Sequence, residues 1–147
     1  MDVTRKLSTS ADVLAVLDGI EGEVDGPWSL AQALVHCAQS VEFSLTGYPS
    51  LRGWVVRRLI GPRFMAKFLR EGVLTHDRAA PIPGAPPLGA PTLAEGVARL
   101  RSAIAAFDAH EGPLAPHFAY GEVDKRSYEK LHAMHFADHL VVLRSSS

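Results

Sequence analysis

The stretch LHAMHFADHL, residues 131–140, holds three histidines: His132, His135 and His139. On a helix, His135 and His139 are i and i+4, so their side chains stand about 5–6 Å apart on one face. Two imidazoles so placed can bind one metal ion, the geometry of helical zinc sites. His132 shares that face and, three residues before His135, forms a rival pair with it. His132 and His139 lie about 10 Å apart along the axis at ~1.5 Å per residue, so all three do not easily serve one ion. A third ligand must come from another element. His36 is the natural candidate, mid-helix among Gln32, Gln39 and Ser40. Three neutral imidazoles leave a position open for water or substrate.

Other residues could contact a ligand. Gln39 and Ser40 lie a turn from His36. Tyr128 shares the face of the histidine pair, and His117 and Tyr120 stand in PHFAYG just before the last helix. Each has a plainer reading: a solvated polar stripe for Gln39 and Ser40, core packing for Tyr128, helix capping for His117 and Tyr120. His76 and His110 read as surface residues. Cys37 points about 100° away from the His36 face and reads as packing, not as a nucleophile.

The elements that must position these groups are helical, since 3.6-residue periodicity dominates and strand-like alternation is nearly absent. The pattern predicts a first helix over Ser10–Gly19, capped by Ser10, and a second over Trp28–Thr46, with Pro27 at its start and Gly47 at its stop. Two short helices are expected near Leu51–Ile60 and Pro62–Glu71, separated at Gly61–Pro62. Residues 79–91, AAPIPGAPPLGAP, read as an ordered surface crossover. A third long helix runs over Thr92–His110. Thr92 and Glu95 form its capping box, and Leu93, Val97, Leu100, Ile104 and Phe107 form a packing seam. The last runs over Asp124–Leu143. Four long helices with one long crossover predict an all-α four-helix bundle in a single domain, residues 1–147.

Composition bounds the functions. Apolar residues make up 47% and charged residues 21%, which is globular. The net charge of −1 offers no global field for nucleic acid or an anionic membrane. Basic residues do gather at Arg52, Arg57, Arg58, Arg63, Lys67 and Arg70, usually a solvated face, or one that meets an anionic substrate. The single cysteine suits a reducing cytoplasm. No signal peptide and no apolar run long enough to span a bilayer is recognised, so no membrane partner is expected.

WSLAQALVHCAQSVEFSLTGYP (28–49) together with PHFAYGEVDKRSYEKLHAMHFADHL (116–140) resembles the DinB/YfiT-like superfamily, in particular its small bacterial branch of unknown function. The resemblance implies a four-helix bundle, a homodimer, and His36, His135 and His139 as ligands, with His132 left as a neighbour. It implies one divalent transition metal, zinc or nickel, with iron or manganese as further options. It also implies a small-molecule or low-molecular-weight thiol substrate. Two functions compete: a metal-dependent enzyme of thiol-transferase or hydrolytic type, and a non-catalytic metal-binding or stress-response module. The superfamily's DNA-damage name suggests DNA binding, which the near-neutral charge opposes.

Overall fold

The computed structural model describes residues 6–140. Among them the chain forms five α-helices and one π-helical turn, with no strand. α1 (Ser10–Leu17) is capped by Thr9, one residue earlier than expected. Asp12 explains the shift: it returns its carboxylate to the Thr9 N–H while the Thr9 hydroxyl accepts from the Asp12 N–H. Ser10 instead ties α1 to its neighbours, donating its hydroxyl to Asp108 and its N–H to Glu129.

α2 (Leu30–Thr46) starts two residues later than expected, because Ser29 is its cap and Gln32 completes the box. Trp28 is thereby left outside the helix. α2 is the central element, with twelve of its seventeen residues buried, the polar His36, Gln39, Ser40 and Ser44 among them.

The two short helices expected between residues 51 and 71 are one continuous segment. A π-turn (Val56–Ile60) runs straight into α3 (Gly61–Glu71). Pro62 has no N–H, and its ring would crowd the carbonyl four residues back. The wider turn, closed by the Gly61 N–H on Val56 O, accommodates it without ending the helix. Gly61 is required there for a second reason. A Cβ on it would lie 1.8 Å from the Ala119 carbonyl oxygen.

α4 (Leu93–Ala109) has the expected Thr92–Glu95 box. Leu100, Ile104 and Phe107 of its seam are buried, with Leu93 and Val97 packed partly buried beside them. α5 (Lys125–His139) is capped by Asp124 and ends before Leu140, its C-cap, although the expected helix ran on to Leu143; residues 141–143 of that expectation lie outside the described residues. α1, α2, α4 and α5 share one core built around Leu17, Leu34, Leu100, Phe107, Tyr128 and Phe136. α3 lies against α5 through a smaller cluster of Leu74, Leu131 and Met134. No described helix is long and apolar enough to cross a membrane.

The crossover between α3 and α4 is ordered against α2. Gln39 donates its amide to Pro86 O and Gln32 to Gly89 O, and Ile82 is buried beneath it. This is why the polar stripe of α2 is not solvated.

Candidate metal centre

Four histidines meet between α2, α5 and the start of the crossover: His36, His76, His135 and His139, with one ligand nitrogen from each lying within 4.8 Å of the others. The nitrogens are Nε2 throughout. His36 lies 3.1 Å from His135, His135 3.2 Å from His139, and His139 2.9 Å from His76. Nitrogens bonded ~2.1 Å from a common tetrahedral ion would stand roughly 3.4 Å apart, within about half an ångström of these three pairs. The i, i+4 spacing on α5 places His135 and His139 together, and α2 delivers His36 against them.

His76, expected at the surface, is a wall of this cluster with its side chain only 25% exposed. Its Nδ1 lies 2.7 Å from Asp138 Oδ2. Arg78 holds the same carboxylate and donates its Nε–H to the Asp138 backbone carbonyl. Burial pushes the Asp138 carboxyl up, but the bond from His76 and the nearby Arg78 charge outweigh it and hold the group below the usual range. Asp138 thus stands against Nδ1 of His76 while Nε2 faces the cluster, the placement of a carboxylate that orients a metal-binding imidazole.

The other three imidazoles are neutral for reasons of environment. Burial, with a smaller repulsion from His76, lowers the His36 pKa to about 4. Burial lowers His139 to about 3, and His135 well below its ordinary value. His36 Nδ1 is buried with no partner. Trp28 covers the cluster, with its ring 4.9 Å from that of His36 and stacked 5.8 Å from that of His139.

His132 is not in the cluster. The Ser44 hydroxyl donates to Val41 O, so its oxygen accepts from His132 Nε2–H, 3.1 Å away. The ring stacks on Tyr128, edge-on to Phe107, and burial lowers its pKa to about 3.

A cavity of about 190 Å³ opens beside His36, His76 and His135. Of the expected substrate contacts, Ser40, His117 and Tyr128 line it. Gln39 does not, because its amide is spent on the crossover. His117 Nδ1 accepts from the backbone N–H groups of Ala119 and Tyr120, which places its proton on Nε2. Burial, then His132, lowers its pKa to about 3. Tyr128 donates its hydroxyl to Ala115 O, so it lines the cavity with its ring while serving the core. Arg52 and Pro81–Pro83 complete the wall. Cys37 is buried in the core, where desolvation pushes its thiol up, away from nucleophilic use. His110 sits at the end of α4, its ring 3.1 Å from Pro113 O.

A family model described as a protein of unknown function, DUF1569, matches residues 4–146. The chain belongs to the DUF1569 family. No curated protein and no solved structure matches it. That family description carries no activity, so the chemistry of this DUF1569 chain must be argued from the cluster itself.

Sequence reasoning missed His76, Asp138, Arg78 and Trp28. For Asp138 a signal existed: it adjoins His139 in the same motif, as a carboxylate orienting a ligand would. For His76 there was none, because it lies 59 residues before His135 and nothing local fixes the loop's path.

Proposed function

We propose that this chain is a divalent-metal protein of DinB/YfiT type. Its four-helix bundle, α1, α2, α4 and α5, would hold one transition ion through His36, His135 and His139, with His76 as a fourth ligand from the crossover. The observation that carries the reading is the convergence of four Nε2 atoms within 4.8 Å. Burial keeps His36, His135 and His139 neutral, so each can offer a lone pair to a shared cation. An all-imidazole set suits zinc or nickel, with iron or manganese as further options. Such an ion supplies Lewis acidity that activates a thiol or water near neutral pH.

The chain's own residues shape what reaches it. Pro81, Ile82 and Pro83 wall the cavity from solvent, while Ser40 and the fixed His117 Nε2–H offer polar contacts to a small molecule. A metal-dependent thiol transfer or hydrolysis on a small substrate is the reading this favours. Metal analysis of purified protein tests the site. One equivalent is expected in the wild type and a large loss in His36→Ala and His135→Ala. Full stoichiometric metal in both variants would sink the assignment.

A second reading has its own support. Four imidazoles fill a tetrahedral shell, and the nearby carboxylates are engaged: Asp138 serves His76, Asp77 at the cavity accepts from the Ala79 N–H, and Glu42 is paired with Arg99. The protein would then be a non-catalytic metal module. A thiol-transfer screen over several electrophiles decides between the two, since turnover that requires added metal rejects the module.

A further inference from the structure

The large apolar side chains exposed among the described residues all fall in one stretch: Leu51, Trp54, Val55, Leu59, Ile60, Phe64 and Val73, each between 44% and 59% exposed. The same stretch carries six cations, Arg52 to Arg70, and no acid before Glu71. The rest of the chain sets nine basic residues against fifteen acidic ones, so this segment is the cationic pole of an otherwise acidic chain. No described carboxylate pairs with any of the six.

The inner face of α3 is already satisfied. Met65, Phe68 and Leu69 pack on the cluster against α5, and Lys130 binds the Leu69 carbonyl. What remains exposed is an aromatic and aliphatic set interspersed along the segment with the exposed Arg58, Arg63, Lys67 and Arg70. The π-turn keeps it on one unbroken helix instead of two fragments meeting at Pro62.

We propose that this face docks on an anionic lipid surface, with Trp54, Leu59 and Phe64 entering the headgroup boundary and the arginines and Lys67 meeting lipid phosphates. Surface-seated helices combine these features: apolar and aromatic side chains on one side, dense arginine and lysine around them. A second copy of the chain is the poorer occupant, because a two-fold contact would set the six cations against six more. The contact is peripheral and needs no spanning helix. Arg52, at the start of the same stretch, lines the cavity, so docking would bring the cavity's edge toward the surface.

Flotation of the full chain with vesicles tests the proposal. Vesicles mixing phosphatidylglycerol with phosphatidylcholine should carry the protein at low salt, and phosphatidylcholine alone should not. Trp54→Ala/Phe64→Ala and, separately, Arg58→Glu/Lys67→Glu should each lower the bound fraction by at least about tenfold. Helical circular dichroism and metal content serve as folding controls for both. Equal behaviour on the two vesicle types, or full binding by both variants, overturns it. So does a vesicle-free dimer that Trp54→Ala/Phe64→Ala dissociates, since that result hands the face to a second copy.

Discussion

Asp138 Oδ2 lies 2.7 Å from His76 Nδ1, joining the residue before a motif histidine to a loop histidine 62 positions earlier in the chain. The contact turns the His76 ring so that Nδ1 meets the carboxylate and Nε2 faces the cluster. It also anchors the start of the crossover, which forms one wall of the cavity. One carboxylate thereby links loop placement to ligand geometry.

Asp138→Asn should weaken metal binding by about 10–100-fold, the usual cost of losing an orienting partner. His76→Ala should weaken it at least as much. Competition against a chromogenic chelator measures both. Wild-type affinity in His76→Ala would show that the ion is held by His36, His135 and His139 alone.

Stability of metal-free protein should fall with acid. His132 and His117 have folded pKa values of about 3, below the ordinary 6.5, so their neutral forms are favoured in the folded state. The unfolded chain binds more protons between those values. Stability is therefore complete above pH 6.5 and is lost progressively as pH falls toward 3. Urea midpoints across this range should decline, and His132→Gln should decline less steeply than wild type. Parallel slopes for the two would mean that His132 is protonated in the folded state as readily as in the unfolded.

Gly61→Ala should destabilise the fold by about 2–4 kcal/mol, because the new methyl meets two carbonyl oxygens, of Ala119 and Val56, with no flexible side chain to yield. Gly53→Ala, whose Cβ would meet nothing within 4 Å, should stay within about 0.5 kcal/mol of wild type. Thermal or chemical unfolding of the pair reads the contrast. Near-equal values would mean that the π-turn and the 117–121 turn do not press together as described.

Trp28 lies against His36 and His139, while Trp54 is exposed on the helix before α3. Added nickel or cobalt should quench tryptophan emission stoichiometrically. Trp28→Phe should abolish the response and Trp54→Phe should keep it. Persistence of quenching in Trp28→Phe would place the ion elsewhere.

By itself the sequence determined the four long helices and some of their ends, while α1 stopped at Leu17 short of the expected Gly19 and the two short helices proved to be one segment. Periodicity and the reciprocal pair of Thr92 with Glu95 are local signals, readable without a fold. It also brought His135 and His139 together, because helical spacing alone sets that distance. The tertiary structure decided what those histidines meet. His36 arrives only because α2 packs beside α5, and His76 only because the crossover folds back along α2, fastened by Gln32, Gln39 and Arg78. That same return path buries Gln39 and leaves the cavity to Ser40, His117 and Tyr128. Contacts between residues 47 to 62 positions apart depend on the packing of whole elements, which no local pattern encodes.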